Sequence, residues 1–276
     1  MSERVSTLAA SFELGLALTG AVLLWRIVLR PAARETQPAP ALAPWDIKIT
    51  DFLMFILFVI GGTLLAAAIA SVIGKQLQLR GDAVTIVNGA GSQLGMLAGV
   101  LLFHRRPGRP PEAAEPKAPG VFSSGAATFL ISLPIVLVAS LAWAFILKTF
   151  GLPTERQNLI AMFANADSIW LFAIMTSLAI LIAPLTEELV FRAGFYRYLR
   201  TRIPHWAAVL TPALFFATLH VNWPTLEGLS SLVPLVVLAV MFSLAYQRTG
   251  RIGTAIVAHA IFNLNTIVLI VAGVGV

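Results

Sequence analysis

The sequence predicts an all-α fold: a polytopic membrane bundle of about eight transmembrane helices. Of the 276 residues, 58% are hydrophobic and only 12% are charged, whereas soluble domains average about 45–50% apolar and about 25% charged residues. The apolar residues form long runs, and a helix needs about 20 of them to cross the hydrocarbon core. We therefore expect an integral membrane protein embedded in a lipid bilayer.

Eight apolar stretches are candidate spans, and connections that carry most of the charged residues separate them. They are Thr7–Leu29, Phe52–Ile73, Ala83–Phe103, Phe122–Ile146, Ile169–Arg202, Trp206–Val221, Leu229–Tyr246 and Thr254–Gly273. The first is too long for the apolar part of a signal peptide, which predicts a retained anchor. The fifth exceeds one span, and Pro184 removes a backbone donor within it. We expect either one tilted helix there or a span followed by a second helix from Leu185.

Composition also divides the chain. Residues 104–120 form a Pro-rich basic linker, which separates a three-helix N-terminal membrane segment (1–103) from a five-helix core (121–276) that holds the candidates for chemistry. Gly91, Gly95 and Gly99 recur every four residues on the third span, a spacing that lets another helix approach closely.

The basic residues predict the orientation and exclude some functions. Twelve of the 19 Lys and Arg residues lie in the connections after odd-numbered spans: Arg30, Arg34, Lys48, Arg105, Arg106, Arg109, Lys117, Arg197, Arg200, Arg202, Arg248 and Arg251. Five lie on the other side: Arg4, Lys75, Arg80, Lys148 and Arg156. The positive-inside rule places the odd-numbered loops in the cytoplasm and explains the net charge of +6 without nucleic acid. The chain has no cysteine, which excludes disulfides, thiolate metal sites and a cysteine nucleophile.

Ionisable residues within apolar segments are the candidates for chemistry, because a bilayer core is a costly place for charge. Glu187 and Glu188 adjoin each other on the fifth stretch, and Arg192 follows Glu188 at the i,i+4 spacing that favours an ion pair. His259 and Asn263 share the same spacing, so both project from one face of the last span.

A helical hairpin turning near Ile203 predicts that Glu187 and His220 lie at the same depth. Glu187 precedes the turn by 16 residues and His220 follows it by 17, so each lies about 25 Å along its helix. His259 fits this level less well, because it lies only about 13 Å from the preceding basic connection.

Three sequence elements, Glu-Glu-Leu-Val-Phe-Arg (187–192), Phe-Ala-Thr-Leu-His (216–220) and His-Ala-Ile-Phe-Asn (259–263), carry a family pattern. In this order they resemble the CPBP or Abi family of membrane proteases, which includes the CAAX prenyl endopeptidases and bacteriocin-processing proteins. The resemblance covers residues 120–276 and implies an eight-span endopeptidase that needs no metal cofactor. It implies that Glu187 and His220 activate water and that His259 and Asn263 form the oxyanion hole. Glu188 and Arg192 would support the site, and the substrate would be a membrane-associated peptide or protein.

Several alternatives stay open from the residues alone. Glu187, His220 and His259 form a plausible zinc ligand set, so a zinc-dependent protease is one. The others are a non-catalytic peptide-binding immunity or scaffold protein and a proton-coupled transporter. Phe216 is interpreted as packing, and Asn88 and Gln93 as polar contacts between helices. The composition hints at a prokaryotic source, hence the bacterial inner membrane, and makes no prediction of an oligomeric state.

Overall fold

The computed structural model describes residues 3–35, 39–108, 115–116, 120–154, 162–163 and 168–274. Within these ranges the regular structure is helical, apart from one isolated bridge between Asn222 and Glu227. Seven of the described helices are long and apolar enough to cross a membrane. The predicted all-α polytopic bundle is therefore confirmed.

Nine helices are named here in chain order within the described residues. They are α1 (Glu3–Leu24, continued by the π-helical turn Trp25–Leu29), α2 (Pro31–Glu35), α3 (Ile49–Gln76), α4 (Asp82–Arg105), α5 (Val121–Thr149), α6 (Ile169–Leu199), α7 (His205–Thr218), α8 (Leu232–Thr249, preceded by the 3₁₀ turn Leu229–Ser231) and α9 (Ile252–Val271).

The sixth predicted span, Trp206–Val221, is a shorter helix than the sequence predicts. Helix α7 has 14 residues, a length of about 21 Å, whereas the hydrocarbon core is about 30 Å thick. The chain leaves the helix at Leu219 and forms turns, in which the amide of Asn222 donates to the carbonyl of Glu227. Pro224 and Gly228 favour such turns and oppose a further helical run. Among the described residues, seven helices are thus long enough to span a membrane, and α7 is a shorter apolar helix.

The fifth predicted span is one continuous helix, as the first of the two alternatives for that stretch proposed. Pro184 does not end α6. A π-helical segment lies on either side of it, Leu178–Ile182 before it and Leu189–Tyr196 after it. At the first of them, the amide of Ala183 donates to the carbonyl of Leu178, five residues back. A π-bulge adds a residue to a turn and is frequently found at functional sites.

Helices α3 and α4 form a tightly packed antiparallel pair. A Cβ atom on Gly95 would overlap the carbonyl oxygen of Gly62, and one on Gly99 would overlap that of Phe58. The absence of side chains at these positions allows the two backbones to touch. The close helix approach predicted from the glycine spacing is confirmed.

The connections after α1, α4, α6 and α8 meet at one end of the bundle. The irregular segment 39–47, here called the strap, lies across this end. Arginines from the end of α6 donate to its backbone: Arg197 to Ala43, Arg200 to Leu42, and Arg202 to Trp45 and Ile47. The Leu42 amide donates to Gln247 on α8, and the Ile252 amide donates to Glu115. The connections that were predicted to lie on one side of the membrane, those rich in Arg and Lys, thus lie at the same end of the bundle.

A shared apolar core joins the N-terminal helices to the rest of the chain. Phe55 of α3 and Phe103 of α4 pack with Phe191 of α6 and Phe216 of α7 in one buried cluster. Gly194 makes this contact possible, because a Cβ atom there would lie 2.5 Å from the ring of Phe55. The packing places α4 directly against the segment of α6 that carries the acidic pair.

Part of the predicted linker lies outside the described residues, namely 109–114 and 117–119, and this includes Arg109 and Lys117. Arg156 also lies outside them. The division of the chain at residues 104–120 stays a prediction.

Candidate active site

Helix α6 places its two adjacent glutamates in different surroundings. Glu188 is fully buried, whereas the side chain of Glu187 retains 12% exposure. Adjacent residues on a helix point about 100° apart, so one carboxylate faces the protein interior and the other faces a more open space. Two carboxylates with different environments are suited to different chemical roles.

Glu188 forms the predicted ion pair with Arg192 and also contacts His259. The Nη1 of Arg192 donates to Oε1 of Glu188 over 2.8 Å, and Nδ1 of His259 lies 2.9 Å from the same oxygen. A buried carboxylate needs such partners, because an unpaired charge there is strongly destabilising. Glu188 therefore orients the imidazole of His259.

Glu187 lies between two further side chains. Its Oε1 accepts a hydrogen bond of 3.0 Å from Nε2 of Gln93 on α4. Its Oε2 lies 3.8 Å from Nε2 of His259. The contact between Glu187 and His259 brings two of the predicted catalytic groups together.

The sequence overestimated how far the two glutamates lie from the level of His259, because every helix was measured from a common plane. The hydroxyl of Tyr196 donates to Gln247, so α6 passes the turn at Gly250 before it ends. Glu188 lies eight residues from Tyr196, and His259 lies eight residues from Arg251. Each is thus about 12 Å from this level, which explains how they meet.

Asn263 contacts α6 through a carbonyl that Pro184 leaves free. In the π-helical turn the next backbone bond would run from residue 184 to Ala179, but proline has no amide hydrogen. The Nδ2 of Asn263 donates to that carbonyl oxygen over 2.8 Å instead. His259 and Asn263 therefore both face α6, as their spacing predicts, and the second hydrogen of the Asn263 amide is left for another acceptor.

His220 lies two residues beyond the end of α7 rather than within a helix. Its Nδ1 is 2.8 Å from the carbonyl oxygen of Phe216, which only accepts, so Nδ1 carries the hydrogen and Nε2 is left as an acceptor. Among the contacts of the described residues, no hydrogen bond or ion pair links His220 directly to Glu187. His220 and Glu187 were predicted to lie at the same depth, but the described residues show no direct contact between them.

Two phenylalanines line the polar cluster. Phe216 is 3% exposed, and its ring centroid lies 4.6 Å from that of His220 and 6.3 Å from that of His259. Phe242 stacks on His259 at 5.3 Å, and the guanidinium of Arg192 lies over both phenylalanine rings. The packing role predicted for Phe216 is confirmed, and the rings shield Arg192 while attracting its charge.

Three further side chains belong to the site although no sequence motif indicated them: Gln93, Thr186 and Phe242. Gln93 does join two helices, as predicted, but its partner on the second helix is Glu187, the more exposed of the two glutamates. A glutamine within an apolar span was the available signal, and the sequence did not show which helix it would face.

The zinc alternative needs Glu187, His220 and His259 to converge on one ion. Within the described ranges, no group of three or more His, Cys, Asp or Glu side chains is arranged to hold a metal ion. Since Nδ1 of His220 bonds a backbone carbonyl and Nδ1 of His259 contacts Glu188, only their Nε2 atoms are left as ligands. As arranged in the described residues, these three side chains do not fit a zinc site.

Comparison with known proteins bears on this geometry. Residues 168–265 match the family model described as type II CAAX prenyl endopeptidase Rce1-like. This segment is therefore similar to the CAAX prenyl endopeptidases, the group that the three sequence elements resemble. The Rce1-like segment, residues 168–265, begins one residue before α6. It contains all the predicted site residues: Glu187, Glu188, Arg192, Phe216, His220, His259 and Asn263. It excludes Gln93.

One similar curated protein is the UPF0177 protein YbdI of Lactococcus lactis subsp. lactis. The two are 29% identical over 93 residues, which cover 33% of this chain and 46% of that protein. The chain thus spans about half the length of the curated relative it matches. No solved structure matches the chain.

Proposed function

We propose that this protein is a glutamate-type intramembrane endopeptidase that hydrolyses a peptide bond in a membrane-associated substrate. The observation that carries the proposal is the contact of Glu187 with His259 beside the buried Glu188–Arg192 pair. The Rce1-like match of residues 168–265 supports the reaction class.

In the proposed reaction, Glu187 is the general base. Its Oε2 takes a proton from a water molecule, and the resulting hydroxide attacks the carbonyl carbon of the scissile bond. Glu187 then returns this proton to the departing amine as the carbon–nitrogen bond breaks. His220, whose Nε2 is an acceptor, orients the attacking water.

His259 and Asn263 stabilise the oxyanion that develops on the substrate. Because Nδ1 of His259 donates to Glu188, its Nε2 donates to the oxyanion only when the imidazole is doubly protonated. The cluster is then neutral, since Glu187 and Glu188 balance Arg192 and the imidazolium. Asn263 contributes its second amide hydrogen, and such donors typically contribute about 10²–10³-fold to the rate.

Charge also supports an orientation and a route of entry. The bundle end with the strap and most of the basic connections is proposed to face the cytoplasm of a prokaryote. His259 lies about 12 Å from that end, so a substrate held in the cytoplasmic leaflet would reach Glu187 more easily than one on the far side.

The test compares the peptides released by membranes that carry wild-type protein or Glu187→Ala. We expect the Glu187→Ala membranes to lack specific cleavage products. Turnover should fall by about 10²–10⁴-fold, the usual contribution of a general base. Quantitative mass spectrometry of membrane peptides reads this out and identifies the substrate at the same time. Prenylated and unprenylated forms of the peptide then show whether the lipid is required.

Glu13→Gln is the matched control, because Glu13 is also a carboxylate in a spanning helix. It bonds Asn265 at 3.0 Å and takes no part in the cluster around His259. Products that persist in a folded Glu187→Ala protein would contradict the proposed hydrolysis. Such a result would favour a peptide-binding protein without catalysis.

A further inference from the structure

We propose that Gln93 is a positioning residue for Glu187, supplied by the N-terminal helices from outside the Rce1-like segment. The inference rests on the proposed function of Glu187 as the general base. It gives the first part of the chain a role at the active site, which neither the sequence motifs nor the comparison assigned.

Gln93 holds the glutamate segment at two points. Its Nε2 donates to Oε1 of Glu187 over 3.0 Å, and its Oε1 accepts a hydrogen bond from the hydroxyl of Thr186. An ionised carboxylate only accepts hydrogen bonds, so the amide must turn its nitrogen towards Glu187. Thr186, which is fully buried, then fixes the oxygen end of the amide.

This arrangement distinguishes the two oxygens of Glu187. Oε1 is occupied by Gln93, and Oε2 is directed towards His259. Rotation of the carboxylate about its last torsion would break the bond to Gln93. The oxygen that takes the proton from water is therefore held on the side of the oxyanion donors, and such orientation contributes to rate without tighter substrate binding.

The support behind Gln93 is rigid. Gly95 lies two residues further along α4, about 200° around the helix, and it packs against the backbone of Gly62 on α3. Helix α4 is thus held between α3 on one side and α6 on the other. A glutamine on a rigid helix places its amide with less freedom than one on a loop.

The experiment uses full-length protein in lipid vesicles and the variant Gln93→Met, which keeps the side-chain volume and removes both hydrogen bonds. The infrared difference spectrum between wild type and Glu187→Gln isolates the carboxylate bands of Glu187. We expect Gln93→Met to shift these bands, because the hydrogen bond to Oε1 is lost. Asn88→Leu is the matched control, since Asn88 is a polar residue on the same helix whose side chain has no hydrogen bond within the described residues. It should leave the bands unchanged.

Kinetics on the peptide found by the membrane comparison give the second readout. We expect kcat of Gln93→Met to fall by about 10–100-fold, which corresponds to the loss of one hydrogen bond to a charged group. KM should change by less than about twofold. Thr186→Val leaves the bond to Glu187 and frees the other end of the amide, so its loss of kcat should be smaller. If Gln93→Met does not fold, Thr186→Val tests the positioning role in its place.

The two proposals fail in different ways. Unshifted Glu187 bands in Gln93→Met, or a kcat equal to that of wild type, would overturn the positioning role while leaving the hydrolysis intact. Full activity in Glu187→Ala would overturn the hydrolysis and the catalytic purpose of Gln93. The infrared spectra would then still report whether Gln93 holds the carboxylate.

Discussion

Two pairs of antiparallel helices hold this bundle together by different means. Helices α3 and α4 meet through backbone atoms at glycines. Helices α6 and α9 meet through a buried cluster of Glu188, Arg192 and His259, together with the bond from Asn263 to Ala179. The first contact contains no charge, and the second places three ionisable side chains where almost no solvent reaches them.

The difference shows how stability and function are divided in the chain. Glycine packing depends on many weak contacts and leaves no buried group unsatisfied. The charged pair leaves Oε2 of Glu188 and Nη2 of Arg192 buried without a partner in the described residues, which is costly. Such a cost is expected where a site needs a fixed electrostatic environment. The glycine-packed pair supplies the rigid surface that faces this site.

The largest effect on stability is expected from Arg192→Met, which removes the arginine partner of Glu188. The free energy of unfolding should fall by about 3–5 kcal/mol, because an uncompensated charge stays buried. The double variant Glu188→Gln with Arg192→Met should recover much of the loss. Unfolding in mixed detergent micelles measures both.

Arg26→Met is the control for that experiment. Arg26 also lies in an apolar helical segment, but it is exposed and has no ion-pair partner among the described residues. Equal stability changes in Arg192→Met and Arg26→Met would show that the buried pair contributes nothing particular.

A smaller effect is expected from Gly95→Ala, which tests the first helix pair. The added methyl group would meet the backbone of Gly62, and overpacking of this kind costs about 1–3 kcal/mol. Gly89→Ala is the matched substitution on the same helix, where nothing lies within 4 Å of the new carbon. It should be neutral or stabilising by up to about 1 kcal/mol, since alanine favours a helix more than glycine does. The same unfolding assay reports both variants, and destabilisation of equal size would contradict the close-packing account.

The smallest effect is expected in the coupling of Asn263 to Pro184. Asn263→Leu should destabilise the wild-type chain, because the carbonyl of Ala179 loses its donor. In a Pro184→Ala background the new amide at 184 satisfies that carbonyl, so the same substitution should cost about 1–2 kcal/mol less.

A double-mutant cycle of unfolding free energies measures this coupling. Pro134→Ala gives the matched comparison, because Pro134 also lies inside a spanning helix but frees a carbonyl on α5 instead. The account would be contradicted by a coupling free energy of zero between Asn263 and Pro184. A coupling of Asn263 with Pro134 of the same size as with Pro184 would contradict it too.

The local geometry of the site was predictable from residue spacing. The ion pair of Glu188 with Arg192 and the common face of His259 and Asn263 follow from the fixed turn of an α-helix. Gly91, Gly95 and Gly99 similarly predicted a close helix contact. These predictions hold because each concerns residues within about two turns of one helix.

The predictions that compared separate helices were less accurate. Trp206–Val221 forms a helix of only 14 residues, and His220 lies beyond it in a turn. His259 lies deeper relative to α6 than the chain length indicated, because α6 continues past the level of Gln247. Distances counted from a turn assume that all turns share one plane, and packing does not enforce that.

The sequence by itself determined that this is a membrane helical bundle, which residues within it are ionisable, and which of them share a helix face. These properties depend on composition and on the periodicity of the α-helix. Only the tertiary structure decided that Gln93 reaches Glu187, that Asn263 takes the carbonyl freed by Pro184, and that His259 contacts both glutamates. Those contacts depend on helix tilt, π-helical turns and the packing of α4 between its neighbours, which are set by contacts between residues far apart in the chain.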